Sequence, residues 1–259
     1  MAASAGITMG RARDFLESLA IPNASPELLA RRALLRRVDT KFILRLGTLQ
    51  RILGTLKSEY ALVRAEGAPV AQYRTLYFDT ERYWSLIEHH RGRRPRFKIR
   101  IRHYTDRQLT YLEVKKKTNA NRTVKARHLL SFGQEGLGAE EYVFLKMHNP
   151  VEPRTLMPSL RTDFGRITLV GLGTMERATF DVDLTFRGAG GNDALDKLVI
   201  AEVKQDRYRP RSPIMVAFRR AGIRPQSISK YCTAGVLLLP TLSLNRFMPV
   251  MHAIRNTTR

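Results

Sequence analysis

The sequence predicts an α+β protein whose eight antiparallel strands form a barrel or a sandwich, with helical segments between them. Three observations lead to this prediction. Eight segments alternate apolar and polar residues with the period of two that is typical of β-strands. Five of these segments collect charged residues on one face. Helical segments lie between the strands and can cover the opposite, apolar face.

The chain begins with a helical segment and ends with a basic tail. Residues 1–30 form a helical lead-in, in which Ser25, Pro26 and Glu27 have the character of an N-cap and a first helical turn. Residues 240–259 are basic and mildly amphipathic, which is compatible with a packed terminus or with contact to a membrane or partner.

The individual strands and helices follow from the change of period along the chain. Strands are predicted at residues 37–45, 71–79, 96–104, 109–117, 122–130, 158–169, 175–186 and 196–205. Helices are predicted at residues 47–58, 81–89, 139–148, 212–221 and 227–238. The glycine-rich residues 188–193 predict a hairpin turn, since no helix with a Lys-Ser/Thr pair follows them.

The composition limits the classes of function. The chain has 259 residues, 43% of them hydrophobic, with a formal net charge of +22, so it can bury a core and attracts polyanions. Cys232 is the only cysteine, which excludes an intramolecular disulfide and any site built from several cysteines. No apolar run approaches the roughly 20 residues of a membrane helix. The N-terminus does not resemble a secretory signal, so we expect a cytoplasmic location.

The charged faces are the most informative feature of the strands. In residues 96–104, Lys98, Arg100 and Arg102 share one face, while Phe97 and Ile99 lie on the other. Same-face neighbours on a strand are about 7 Å apart, so these cations repel one another unless an anion or carboxylates neutralise them. The other charged faces comprise Arg37, Asp39 and Lys41; Tyr111, Glu113, Lys115 and Lys117; Arg177, Thr179 and Asp181; and Glu202 and Lys204.

Two interpretations fit these faces. An ordinary sandwich would place them in water, and this explains any single strand. A barrel with a polar lumen explains the whole set better, because the faces are dense in Arg and Lys with only isolated Asp and Glu. A cationic lumen of that kind suits a chain of phosphates.

Eight short motifs then resemble a known family. They occur in the order found in the VTC domain, the catalytic module of the vacuolar transporter chaperone polyphosphate polymerase, within the CYTH-like triphosphate tunnel metalloenzyme superfamily. The motifs are residues 37–42 (RVDTKF), 75–80 (TLYFDT), 98–102 (KIRIR), 112–115 (LEVK), 164–166 (FGR), 177–181 (RATFD), 201–204 (AEVK) and 229–231 (SKY).

The resemblance covers residues 31–239 and implies that they form a tunnel domain, an eight-stranded antiparallel β-barrel with helices packed on the outside. It also implies roles for the charged residues. The family's phosphate-binding cations correspond to Lys41, Arg100, Arg102, Lys115, Arg166 and Lys230. Further substrate contacts are expected from Lys98, Lys125, Arg127 and Lys204. A divalent metal, Mn²⁺ or Mg²⁺, would be held by Glu202 together with Glu113 or Asp181.

The sequence departs from the wider superfamily at two positions. The usual Glu-x-Glu-x-Lys motif of the first strand reads Arg37-x-Asp39-x-Lys41, and the loss of the first Glu favours a polymerase over a hydrolase. Phe164 stands where many relatives have Tyr, so a hydroxyl contact is absent there.

The function implied by the resemblance is polyphosphate polymerisation, in which ATP donates its γ-phosphate to a growing chain. A tunnel-type triphosphatase, a cyclase and a non-catalytic polyphosphate sensor are the alternatives. An RNA-binding module fits the charge but not the distribution of the basic residues, so no nucleic acid partner is expected. A separate membrane partner is compatible with the resemblance, and the oligomeric state is left open.

Several candidate residues also have a purely structural interpretation. Glu202 and Glu113 can neutralise neighbouring cations, and Asp181 can pair with Arg177. Asp79 is more typical of a strand end or helix cap than of a ligand. Cys232 is expected to be a packed thiol.

Overall fold

The computed structural model describes residues 3–32, 37–120 and 122–258. Its centre is a single antiparallel sheet whose strands follow the alternating segments of the sequence. The strands are β1 (Val38–Arg45), β2 (Tyr60–Leu62), β3 (Ala71–Asp79), β4 (Arg96–Tyr104), β5 (Leu109–Lys117), β6 (Thr123–Leu130), β7 (Met157–Gly171), β8 (Glu176–Gly188), β9 (Gly191–Leu195) and β10 (Leu198–Gln205).

Eight α-helices surround the sheet in the described part of the chain. They are α1 (Ala3–Ser18), α2 (Pro26–Arg31), α3 (Leu46–Leu56), α4 (Trp84–Arg91), α5 (Ala139–His148), α6 (Pro213–Arg220), α7 (Lys230–Leu238) and α8 (Met248–Thr258). Short 3-10 helices occur at Thr105–Arg107, Pro153–Thr155 and Asn245–Phe247. None of the described helices is long and apolar enough to span a membrane.

The eight predicted strands are all present, and the structure adds two more. The strand order is β1-β10-β8-β7-β3-β4-β5-β6, with β2 paired to β7 and β9 paired to β8. Strand β2 was not predicted, because three residues are too short to show an alternation. The first three residues of β9 lie within the turn predicted at residues 188–193. A turn does occur between Gly188 and Gly191, which face each other in the register, and β9 continues from it.

The sheet is curled but not closed. Within the described residues, β1 and β6 are the two ends of the strand order and do not pair with each other. The sheet nevertheless bends far enough that the charge of Lys41 on β1 acts on Lys115 on β5. The two ends carry cations, including Lys41 and Lys125, and like charges disfavour a closer approach. The predicted antiparallel architecture is confirmed, but as an open tunnel-like sheet of ten strands.

Helices cover the outer face of the sheet, as the alternation predicts. On one half, α3 and α6 bury Leu53 and Phe218 against Phe42, Phe180 and neighbouring apolar side chains of β1, β7, β8 and β10. On the other half, α5 packs against the apolar face of β3, β4 and β5. These are the residues that alternate with the charged positions, so packing of the outer face turns the charged side chains inward.

One helix differs from this arrangement. Helix α7 lies against the inner face, the sheet face that carries the charged residues, near the end of the tunnel where β4 begins. There Tyr231 and Cys232 are buried with Ile43, Tyr77 and Ile200, whose strand positions are in phase with the charged ones. The expected packed thiol of Cys232 is therefore confirmed, on a helix that fills part of the lumen.

Asp79 fixes the turn between β3 and α4. Its carboxylate accepts hydrogen bonds from the backbone N–H groups of Thr80 at 2.9 Å, Ser85 at 2.8 Å and Leu86 at 3.0 Å, and from the hydroxyl of Tyr231. This is the helix-cap role expected from the sequence. The same carboxylate links α4 to α7, so it also positions the helix that enters the lumen.

Both terminal segments pack on the sheet. Leu16 of α1 and the following Ile21 are buried in the apolar cluster of the outer face. At the other terminus, Met251 and Ile254 of α8 are buried in the cluster formed by α7. The boundaries predicted at residues 30 and 240 stay predictions of domain organisation.

Candidate functional site

The charged residues predicted from the sequence come together on the inner face. In β4, Lys98, Arg100 and Arg102 stand opposite Lys115, Glu113 and Tyr111 of β5 in register. The guanidinium of Arg100 donates two hydrogen bonds to Oε2 of Glu113, at 2.8 and 2.7 Å. Glu113 thus neutralises one cation of the row directly.

A second charge cluster joins β7, β8 and α7. Arg166 and Asp181 stand opposite each other in register. The guanidinium of Arg166 donates to both carboxylate oxygens of Asp181, at 2.6 and 2.8 Å. Lys230 at the start of α7 pairs with Oδ2 of the same carboxylate. The expected partner of Asp181 was Arg177. That expectation is wrong, because the strand register brings Arg166 to the position directly opposite.

The third cluster lies on β1 and β10. Lys41 stands opposite Glu202, and Asp39 stands opposite Lys204. The ammonium of Lys204 donates to Oε2 of Glu202 at 2.6 Å. Lys41 instead donates to the backbone carbonyl of Ile228, at 3.1 Å. Glu202 therefore has one carboxylate oxygen in an ion pair and lies beside a second cation.

The last two predicted contacts are on the edge strand β6. Lys125 and Arg127 stand opposite Lys115 and Glu113 in register, so both belong to the inner face. Lys125 forms an ion pair with Oε1 of Glu113. Arg127 lies over the ring of Tyr111, with the guanidinium carbon 5.0 Å from the ring centroid. Twelve of the thirteen predicted residues thus line one face of the curled sheet, and Lys230 reaches the same face from α7.

An aromatic pair lies beneath the cations. The sequence analysis did not predict that these two rings stack on each other. The rings of Tyr73 and Phe164 are stacked, with centroids 5.2 Å apart. Arg102 and Arg166 lie over both rings, and Nζ of Lys230 lies 4.3 Å from the centroid of Phe164. Cations over aromatic faces are attracted by the ring quadrupole. Tyr73 occupies a lumen position in the predicted strand 71–79, which is the signal that the sequence offered.

The carboxylates of the site remain ionised although they are buried. Burial alone would raise the pKa of Glu113, but the charges of Arg100, Arg102 and Lys125 outweigh it and hold the pKa well below its ordinary value. The same balance, with Arg166 and Lys230 as the cations, lowers the pKa of Asp181. Ion pairing therefore dominates the electrostatics of these two groups.

In the lysines that have no carboxylate partner, the pKa shifts disfavour the charged form. Burial, reinforced by the charges of Lys41 and Lys115, lowers the pKa of Lys98 to about 7. Desolvation and the charge of Lys41 lower the pKa of Lys115 to about 8. In the described residues neither lysine forms an ion pair, and Lys98 donates only to the hydroxyl of Ser229, at 2.6 Å. This part of the lumen has an excess of positive charge that an anion would relieve.

The three predicted metal ligands differ in how well they fit a divalent ion. Both oxygens of Glu113 and both of Asp181 already accept hydrogen bonds from cations. Lys204 contacts only one oxygen of Glu202. No group of three or more His, Cys, Asp or Glu side chains in the described residues is arranged to hold a metal. Of the three carboxylates, Glu202 is therefore the one that would hold a divalent ion, through the oxygen that Lys204 does not contact.

Fold and site together define a tunnel-type protein whose inner face suits polyanions. Residues 36–239 match the family model of the VTC domain. The chain therefore belongs to the VTC domain family, as its motifs predicted. The comparison with curated proteins finds no match.

Three solved structures are similar to the chain at low identity. A Bacillus halodurans protein described as a candidate adenylate cyclase is 14% identical, covering 74% of this chain and 93% of its own, with a TM-score of 0.47. A Hippeastrum protein described as a candidate adenylyl cyclase with a dominant triphosphatase activity is 13% identical, covering 81% of this chain and 99% of its own, with a TM-score of 0.47. Protein PH1012 of Pyrococcus horikoshii OT3 is 11% identical, covering 76% and 99%, with a TM-score of 0.43. The family assignment depends on the VTC match and not on these structures.

Proposed function

We propose that this protein is a polyphosphate polymerase, which transfers the γ-phosphate of ATP to a growing inorganic polyphosphate chain held along the inner face. One observation carries the proposal. The cations of the inner face extend from Arg166 and Arg102 to Lys98 and Lys115, and the carboxylates between them neutralise only part of the row. A row of uncompensated cations suits a linear chain of phosphates better than a single small anion.

Phosphoryl transfer requires the protein to position the reactants and to neutralise their charge. Transfer of a phosphoryl group needs no protein nucleophile, and charge on its peripheral oxygens must be neutralised. In the proposed reaction, a terminal oxygen of polyphosphate attacks the γ-phosphorus of ATP. The bond from that phosphorus to the bridging β–γ oxygen breaks, and ADP leaves with the electron pair.

The cations of the inner face have two roles in this scheme. The guanidinium groups of Arg100, Arg102 and Arg166 are suited to bidentate contacts with phosphate oxygens. Lys41, Lys115 and Lys230 act as point charges along the chain. Lys98, Lys204, Lys125 and Arg127 extend the contact surface toward the ends of the row.

A divalent ion, Mn²⁺ or Mg²⁺, would neutralise phosphate oxygens when bound, with Glu202 as its protein ligand. Glu113 and Asp181 are better explained as groups that orient Arg100, Lys125, Arg166 and Lys230. Their predicted metal-binding role receives no support from their contacts.

Hydrolysis of triphosphate is the second candidate function. It uses the same cations with water as the acceptor. The motif of the first strand disfavours hydrolysis, since Arg37 occupies the position of the first Glu in the usual Glu-x-Glu-x-Lys motif. Arg37 forms an ion pair with Asp39, at 3.0 Å, so it also occupies part of the remaining acidic group.

The substrates of the proposed reaction are ATP and polyphosphate, and no nucleic acid partner is expected. A cytoplasmic location and a separate membrane partner that receives the product are part of the same proposal.

Incubation with γ-labelled ATP and Mn²⁺ tests the proposal. Labelled long-chain polyphosphate is expected from the wild-type protein and is lost in Glu202→Ala and Arg100→Ala. Labelled free phosphate without polymer would identify a hydrolase. Absence of turnover together with tight tripolyphosphate binding would identify a sensor.

A further inference from the structure

Asp183 lies where β8 changes its neighbour along one edge. Strand β10 pairs with β8 as far as Asp181, and β9 pairs with it from Leu184 onward. The register places Leu184 opposite Leu195, so the next residues along the two antiparallel strands are Asp183 and Asp196. Asp196 begins the turn that connects β9 to β10. Two carboxylates therefore meet at the junction of three strands.

A β-bulge separates Asp183 from the row of charged residues on the inner face. Val182 belongs to the apolar cluster of the outer face, whereas Leu184 belongs to the cluster formed by α7. Residues two apart on a regular strand share a face, so the alternation shifts by one residue at Asp183. The register between β7 and β8 shifts at the same place, and Asp183 has a φ of +51°. Asp183 therefore does not continue the row that contains Asp181.

The carboxylate of Asp183 is buried without a partner. Only 4% of the residue is exposed, and in the described part of the chain neither Oδ1 nor Oδ2 has a hydrogen-bond partner. Glu113, Asp181 and Glu202 each form an ion pair with a lysine or an arginine. Buried carboxylates without such contacts are costly. Asp183 is thus an unpaired buried anion in a chain that has a net charge of +22.

The charge of Asp196 adds to this cost. Burial and the charge of Asp196 raise the pKa of Asp183 to about 6, and no lysine or arginine of the described residues opposes them. The two carboxylates are adjacent anions at pH 7.5. A divalent cation would neutralise both of them.

We propose that Asp183 and Asp196 hold a divalent metal ion, with Ca²⁺ as the favoured ion, at the junction of β8, β9 and β10. Carboxylate oxygens are the donors that hard cations prefer. Asp183 lies in a bulge and Asp196 in a turn, and Ca²⁺ accepts irregular arrangements of oxygens, whereas Mg²⁺ requires a nearly octahedral one. Backbone carbonyls and water complete the coordination. The ion joins β8 to the turn between β9 and β10, independently of the proposed function.

Calorimetric titration of the full chain with Ca²⁺ at pH 7.5 tests this inference. The titration uses Glu202→Ala as the parent protein, which removes the predicted metal ligand of the inner face. About one Ca²⁺ per chain is expected to bind and to raise the melting temperature. Adding Asp183→Asn should weaken Ca²⁺ binding at least about tenfold. Adding Asp193→Asn, on the same hairpin, should leave it unchanged.

The melting temperature without metal shows whether Asp183→Asn acts through the fold. Asparagine also tolerates a left-handed backbone conformation, so the bulge is retained. The metal-free variant is expected to melt at a higher temperature than its parent, because an unpaired buried charge is removed. A lower melting temperature would show that the carboxylate has a stabilising partner within the protein, and would overturn the inference.

Two further results would overturn the inference. One is the absence of Ca²⁺ binding by the Glu202→Ala protein, and the other is equal Ca²⁺ affinity with and without Asp183→Asn. Tighter binding of Mg²⁺ in a parallel titration would overturn the choice of Ca²⁺. None of these results bears on the phosphate site, which tripolyphosphate titration of the wild-type protein tests separately.

Discussion

Lys98 and Lys115 stand directly opposite each other on neighbouring strands of the inner face, and neither forms an ion pair in the described part of the chain. Like charges in opposed strand positions destabilise a sheet. The fold therefore carries an electrostatic cost in the absence of ligand, and it is concentrated where we propose that phosphate binds.

This pair predicts how stability depends on pH. Burial lowers the pKa of Lys98 from its ordinary 10.5 to about 7 in the folded protein. Between these values the unfolded chain binds more protons at this position than the folded chain. The free energy of unfolding contributed by Lys98 therefore rises with pH from about 7 to about 10.5, and below pH 7 the cost is fully present.

The substitution Lys98→Met isolates this contribution. It should stabilise the ligand-free protein at pH 7 by about 1–3 kcal/mol, because it removes a half-buried charge without a counterion. It should also reduce the rise in stability between pH 7 and pH 10, measured by urea unfolding at each pH. An unchanged pH profile in Lys98→Met would contradict the assignment of the cost to this lysine.

Phe164 is expected to support ligand binding through its ring. Phe164→Leu removes the face that contacts Arg102, Arg166 and Lys230, and each such contact contributes about 0.5–2 kcal/mol. The dissociation constant for tripolyphosphate should increase about tenfold. Phe164→Tyr keeps the ring and should bind like the wild type. Equal binding by the leucine and tyrosine variants would show that the ring does not position these cations.

Two glutamates of the site should respond differently to mutation. We expect Mn²⁺ to strengthen tripolyphosphate binding by the wild-type protein, and Glu202→Gln to abolish this effect with little loss of stability. Glu113→Gln leaves Arg100 and Lys125 without their shared partner and should destabilise the fold by about 3 kcal/mol. Tripolyphosphate titrations with and without Mn²⁺, together with urea unfolding, measure both effects. Loss of the Mn²⁺ effect in Glu113→Gln alone would reverse the assignment.

Asp79 is expected to be structural. Its carboxylate accepts three backbone hydrogen bonds at the start of α4 and one from Tyr231. Asp79→Ala should lower the free energy of unfolding by about 2–4 kcal/mol, since a cap and a buried hydrogen bond are lost together. Calorimetry on the folded variant should give wild-type tripolyphosphate affinity. A stable variant that no longer binds tripolyphosphate would indicate a direct role in the site.

The longer strands were predictable because apolar residues on their outer face alternate with polar residues on their inner face. Phe97, Ile99 and Ile101 face the helices of the outer face, while Lys98 and Arg100 face the lumen, so the alternation is complete within β4. Strand β2 could not be found in this way. Its three residues, Tyr60 to Leu62, are all buried and show no alternation.

The composition of the site was predictable, but its pairing was not. The charged positions follow from strand periodicity and family motifs. The partner of each carboxylate depends on the register between strands that are distant in sequence, as for Arg166 and Asp181. The position of α7 inside the lumen depends on the way Tyr231 joins Asp79 across 152 residues of sequence. Local patterns contain no information on either relationship.

A crystal structure of the protein with inorganic tripolyphosphate would show whether the inner face holds a phosphate chain. Phosphate oxygens are expected within hydrogen-bonding distance of Arg100, Arg166 and Lys230, with the anion extending toward Lys98. Tripolyphosphate bound only on the outer surface, with the inner face free of it, would show that the inner face is not the phosphate site.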